Sequence, residues 1–363
     1  MGKFTDVISP KRRSVETPKN MVENGKCVFG TFDKEFETMD LLGIKNPTAA
    51  PDIMKRLRLT LWEATEVHMK QGVLLAVVCD MGIFGLTLNV YYDKAEKKVY
   101  SWSTNLKSKD THIAPNLIKG SEASAQTPNS HVHYVNNFDE GKCHLDGHHE
   151  DETNSISYSF DLERISLPSV VSIPFAPIEK RHRPLYSQKD FFHAKGTLTF
   201  NGKTYETDEE ATAIVDDHRG YYPRRAHYDW VTTMGVNETN GEKKWFAFNL
   251  THNQSVAEDD YNENLIWFEG KTSLLPPVKF ERDVDTREFK DGAVWTIKDE
   301  HGMVNVKFTV YDIFRMITHA KPIVSIDYVV AFGVLEGYLG DEDGNKYVLD
   351  GMMGMGEDKT LLL

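Results

Sequence analysis

Short runs of alternating apolar and polar residues, each closed by a turn signal, recur from about residue 57 to the end of this chain. They limit the fold more than any other feature, because alternation with period two marks strands that bury one face. Residues 72–80, 84–93 and 97–103 read as an antiparallel meander, and residues 131–150 as a hairpin. Asn201-Gly202 closes a further tight hairpin, since both residues readily take positive φ. Leu57, Leu59 and Leu61 alternate with Arg58 and Thr60 and open the first strand, against a competing helix over residues 52–70. Beyond Lys70 no stretch of twelve residues carries helical periodicity, residues 311–317 coming nearest. So many strands in one chain close into barrels or stack as sandwiches, and the expectation is an all-β protein in two halves.

A chain of 363 residues suits two domains of roughly 150 to 200 residues each. Residues 1–50, broken by Pro10, Pro18, Gly25, Gly30, Gly43 and Pro47, read as an N-terminal arm laid over the body. Residues 51–180 and 181–363 then form the two domains, with the boundary in the proline-rich, basic segment 174–188. Lys and Arg number 42 against 55 Asp and Glu, and the net charge of -13 argues against nucleic acid and anionic membrane as partners. Cys27, Cys79 and Cys143 are widely spaced with no CxxC pair, which suits a reducing compartment and excludes a disulfide framework or a cysteine zinc site. No eighteen-residue apolar run and no signal-type N-terminus are present, so the expectation is a cytoplasmic protein without stable membrane insertion. Oligomeric state has no signature here. GxGxxG, P-loop, HExxH and GxSxG patterns are all absent, and no cofactor is expected.

Chemistry concentrates in residues 215–230, VDDHRGYYPRRAHYDW. Such a mixture of charge and aromatic rings suits a pocket wall whose charges pair with one another or with a ligand; the competing reading is a turn stapled by Arg and Asp. Arg225, His227 and Asp229 share one face of the second strand, and Arg224, Tyr228 and Trp230 the other. The first face offers a cation, an imidazole and a carboxylate for acid–base work; the second offers an aromatic wall. The long connection 251–262 reads as a lid or as a surface loop. The Met- and Gly-rich tail 350–358 reads as an adaptable pocket lining or as frayed terminal packing. In the hairpin, His133 opposite His148 and His131 opposite Glu150 would make a divalent-metal cluster if the loop sets that register; a solvated polar face explains the same residues without any metal.

Six segments in order, HRGYYPRRAHYDW, FAFNLT, NENLIWFEGK, LLPPVKF, VNVKFTVYD and GYLGDEDGNKYVLDGMMGMGED, resemble the bacterial family of domain of unknown function 2804. The resemblance covers most of the chain from about residue 57. More distantly the chain is similar to the two-barrel lipocalin-like group of carotenoid 1,2-hydratases, tocopherol cyclases and survival-factor-type lipid-binding proteins. That resemblance implies two antiparallel lipocalin-like, calycin-type β-barrels packed side by side. It also implies a small-molecule or lipid-like ligand, with acid–base chemistry by hydration, isomerisation or cyclisation. Non-catalytic lipid or metabolite binding, and carbohydrate hydrolysis or elimination by paired carboxylates, are the alternatives. The residues expected to carry catalysis are Asp217, His227 and Glu357. Those expected to hold the ligand are His218, Arg219, Tyr222, Arg224, Asp229, Trp230, Asn249, Glu263, Asn264 and Asp358.

Overall fold

The alternation of the sequence is realised almost entirely as antiparallel strands. A computed structural model of the chain describes residues 2–239, 242–320 and 324–362. It divides into two compact units, one of Ser14–Ala95 and Tyr100–Tyr222, the other of Met1–Arg13, Glu96–Val99 and Pro223–Leu363.

Two boundaries differ from the expected ones. The break lies at Tyr222/Pro223 and not at residue 180, because Pro184–Phe200 continues as one long strand. It pairs with Ser155–Arg164, Ser169–Pro174 and Thr212–Gly220. The arm expected over residues 1–50 is divided as well. Arg12 is buried in the second unit, where its guanidinium donates to the carbonyls of Leu275 and Asn264. Gly30–Phe32, by contrast, pairs with Ser169–Pro174 in the first.

The first unit is a nearly closed barrel. Its sheet runs in the order Lys98–Lys107, Phe84–Asp93, Gly72–Asp80, Thr60–His68, Thr212–Gly220, Pro184–Phe200, Ser155–Arg164, Lys142–Glu150, Ser130–Asn137, Ser121–Thr127. Bonds across the interior show how far it curls: the Tyr134 hydroxyl donates to the Ala76 carbonyl at 2.8 Å, and the Tyr158 hydroxyl to Asn89 Oδ1 at 2.6 Å. The opening strand starts later than expected, at Thr60, because Lys55–Arg58 is a short helix that leaves Leu57 45% exposed. Asn201 and Gly202 both take positive φ, as a two-residue hairpin turn requires.

The second unit is a half-barrel. Its order is Lys271–Leu274, Leu265–Phe268, Glu242–His252, Arg225–Thr239, Met353–Leu362, Val324–Gly340, Val304–Ala320, Val294–Lys298, Lys279–Arg282. The tail therefore is not frayed: Met353–Leu362 is an interior strand, flanked by Arg225–Thr239 and Val324–Gly340. Its glycines allow close packing, since a Cβ on Gly356 would come within 2.8 Å of the Trp295 ring. Gly333 is tighter still, because a Cβ there would meet the Thr309 carbonyl oxygen at 1.9 Å. Gly333→Ala is therefore expected to lower stability by about 1–3 kcal/mol through overpacking against backbone, read as a lower urea midpoint.

Candidate functional site

The strand Arg225–Thr239 turns His227, Asp229 and Val231 to one face, and its register sets Thr360, Asp358 and Gly356 opposite them. Val231 enters the apolar core with Trp295 and Phe308, so the polar residues at the strand's start lie at one end of that core. A cavity of about 360 Å³ opens there, lined by Arg225, His227, Gln254, Asp327, Thr360 and the apolar Leu361 and Leu362.

His227 spans two partners. Its Nε2 lies 3.2 Å from Asp229 Oδ1, and its Nδ1 lies 3.1 Å from the Thr360 hydroxyl. Asp229 also accepts from Arg282 at 2.5 Å, and His252 Nδ1 stands 3.9 Å away. Burial alone would raise the Asp229 carboxyl. The hydrogen bonds from His227 and His252 and the charge of Arg282 outweigh it and hold the group well below the usual carboxylate range. His252 is pushed up to about 10, by Asp229 first and then by Glu258. It therefore carries a charge at neutral pH. Asp358 is gripped by Arg287 through two bonds of 2.6 and 2.8 Å and by the Thr286 hydroxyl at 2.6 Å. Arg282 is steadied by the Trp295 ring, 4.2 Å from its guanidinium carbon.

The other expected site residues divide among different environments. Trp230, Asn249, Glu263 and Asn264 form a buried chain of bonds. The Trp230 indole donates to Asn249 Oδ1 at 2.5 Å, Asn249 donates to the Glu263 carbonyl at 2.9 Å, and Asn264 donates to the Pro276 carbonyl at 3.0 Å. These bonds anchor the connection 251–262, which is fastened again by Asn253 on Glu263 at 2.8 Å and by Lys11 on Asp260 at 2.6 Å. Glu357 points to the face opposite Asp358, accepting from the Tyr328 hydroxyl and from Tyr228 at 3.2 Å. Arg224 is exposed in a bend before the strand.

Asp217, His218, Arg219 and Tyr222 belong to the first unit. Asp217 and Arg219 face the barrel interior as a two-bond ion pair of 2.7 and 2.8 Å, and Arg219 also donates to the Ala114 carbonyl at 2.6 Å. His218 turns the other way, its Nε2 2.9 Å from both Ser187 Oγ and Lys189 Nζ. Tyr222 gives its carbonyl to Arg58 at 3.2 Å. Opposite Asp217 in register lies Glu63, fully buried and accepting from Asn136 at 2.7 Å. Burial, and then the nearby Asp217 charge, push Glu63 up to about 8.

Sequence reasoning missed Glu63, Arg282 and Arg287. Glu63 carried a signal, because it shares a strand face with Leu61, Thr65 and Val67, where an acid is out of place. The two arginines carried none, lying more than fifty residues from Asp229 and Asp358 or on the far side of the sheet order.

Two groups of side chains could hold a metal ion among the described residues: His227 with Asp229 and Asp358, and His131 with His133 and Asp146. In the first, both carboxylates are already bonded to arginine. In the second, the hairpin register differs from the expected one: His131 lies opposite His148, and His133 opposite Asp146. The loop Phe138–Glu140 with Gly141 places the strands two residues away from the pairing that would have joined His133 to His148 and His131 to Glu150. His131, His133, His144 and His148 stay on one face, while Glu150 leaves the cluster and Asp146 enters it.

A family profile described as domain of unknown function DUF2804 matches residues 12–361. No curated protein matches the sequence. Among solved structures, kievitone hydratase from Nectria haematococca is similar with a TM-score of 0.49 and 10% identity, over 84% of this chain and 88% of that one.

Proposed function

The chain belongs to the DUF2804 family, and we propose that it is an enzyme that moves protons on a small or lipid-like organic molecule, by hydration, isomerisation or cyclisation. The observation that carries this reading is His227, hung between the Asp229 carboxylate and the Thr360 hydroxyl at the wall of the 360 Å³ cavity.

In a neutral imidazole with its proton on Nε2, that N–H donates to the Asp229 carboxylate and Nδ1 is left as the basic nitrogen. Asp229 stays ionised, so it stabilises the imidazolium that forms when Nδ1 takes a proton from substrate or water. Asp358, 3.7 Å from Nδ1, adds to that stabilisation. The same imidazolium then returns the proton to another atom of the substrate, which is all that an isomerisation, an elimination or an addition of water asks of it. Arg225 faces a polar or anionic substituent, and Leu361 and Leu362 supply apolar wall for the remainder. Both carboxylates are held by arginines, which suits orientation of the histidine better than the proton donation a glycosidase pair requires.

The test is deuterium exchange. A panel of small enones, hydroxy acids and isoprenoid alkenes is incubated with the protein in deuterium oxide, and incorporation is followed by NMR. Wild-type protein is expected to label at least one compound, and His227→Ala to reduce that labelling by about 10²–10⁴-fold. The side chain of His227 is 43% exposed, so its removal leaves the sheet intact. Binding of a compound with no exchange in either protein would make this a carrier and sink the catalytic reading.

A further inference from the structure

The strands Ser130–Asn137 and Lys142–Glu150 bury every second side chain inside the barrel and turn the others outward. Outward-facing positions of one adjacent pair hold His131, His133, His144, Asp146 and His148. The Asp146 carboxylate is the centre of this patch. It lies 2.9 Å from His133 Nδ1, 3.7 Å from His131 Nδ1 and 3.7 Å from His144 Nε2. We propose that His131, His133 and Asp146 form a binding site for a divalent transition-metal ion of the zinc class, with His144 placed to close the fourth position.

Three observations carry this. Ligand atoms of His131, His133 and Asp146 all lie within 4.8 Å of one another, close enough for small side-chain rotations to bring them onto one ion. The outer nitrogens are also tied to carboxylates. Glu122 sits 3.5 Å from His133 Nε2, and Asp161 sits 2.8 Å from His144 Nδ1. That leaves His133 Nδ1 and His144 Nε2 turned toward Asp146, the arrangement by which carboxylates outside a metal site orient its imidazoles. Finally, among the described residues Asp146 has ion pairs only with histidines, so no arginine or lysine supplies the positive charge that it lacks.

This differs from the cluster at His227, where Arg282 and Arg287 already serve the carboxylates. Two imidazole nitrogens and one carboxylate favour zinc, nickel or copper over calcium or magnesium, which prefer all-oxygen sets. The ion would clip two neighbouring strands of the barrel together, so binding should also raise its thermal stability.

The experiment is calorimetric titration of zinc chloride into full-length, chelator-treated protein at neutral pH, together with thermal melts. One site of micromolar affinity is expected, with a higher melting temperature in zinc. His133→Ala and Asp146→Asn should each weaken binding at least tenfold and abolish the melting shift, while His144→Ala weakens it less. Circular dichroism of each variant establishes that the barrel remains folded, which the outward position of these side chains favours. His227→Ala serves as the control and should bind zinc like the wild type. All three cysteines are buried, so they do not compete for the ion. Absence of binding in the micromolar range, or equal binding by the wild type, His133→Ala and Asp146→Asn, would overturn the proposal.

Discussion

Arg219→Met is expected to destabilise the first unit by about 3–5 kcal/mol, the usual result of leaving one half of a buried ion pair without its partner. Arg219 is 3% exposed and Asp217 is fully buried. Their two bonds lie inside the barrel, beside Glu63 on the neighbouring strand. Without the guanidinium, the Asp217 charge has no counterion, and the Ala114 carbonyl loses its donor. Urea unfolding at pH 7 measures the loss. The double variant Asp217→Leu with Arg219→Met should recover much of the loss, because it removes both charges from the interior. A loss below about 1 kcal/mol for Arg219→Met alone would mean that the pair is solvated and that the barrel interior is wet.

The residues expected to share one pocket separate along a physical line. His227, Asp229 and Asp358 are gathered by strand register, a relation between segments more than a hundred residues apart. Asp217 and Arg219 are only a few residues from His227 in the chain, yet they belong to the other unit. The segment 215–230 looked continuous because its composition is continuous, and composition does not report a change of sheet. The proline-rich segment 174–188 misled for a related reason. Pro174 and Pro184 face each other at the end of the pairing between Ser169–Pro174 and Pro184–Phe200, a place where a missing N–H is tolerated.

Local chemistry was read more securely. Asn201-Gly202 needs nothing beyond its own φ preferences to turn a hairpin, and it does so. The absence of α-helix beyond Lys70 among the described residues follows equally from the local pattern. The all-β class and the family resemblance were legible for the same reason, since alternation and motif order both lie in contiguous residues. The metal question at the hairpin hung on register alone. A shift of two residues preserves the face while exchanging Glu150 for Asp146, so the pattern of outward histidines was visible but its acidic partner was not.

Glu63 supplies the second large effect, and its sign follows from burial. The folded barrel keeps this carboxyl protonated up to about pH 8, whereas in the unfolded chain it ionises near its ordinary value of 4.5. Below pH 4.5 both states hold the proton, and the group leaves stability independent of pH. Between about 4.5 and 8 only the unfolded chain gives up the proton, so stability falls by about 1.4 kcal/mol per pH unit. Above pH 8 both states are ionised and the loss levels off. Glu63→Gln keeps an acceptor for Asn136 but has no proton to lose. The variant should therefore gain several kcal/mol on the wild type between pH 4.5 and pH 8, as read from paired urea denaturation curves. The Oε2 atom of Glu63 has no partner, so an amide nitrogen placed there leaves one buried donor unsatisfied and offsets about 1–3 kcal/mol of that gain at every pH. That offset is independent of pH, so the slope of the stability difference between pH 5 and 8 isolates the ionisation of Glu63. Parallel curves for the two proteins across that range would show that Glu63 is ionised in the folded barrel and stabilised there by Arg219 together with Asn136.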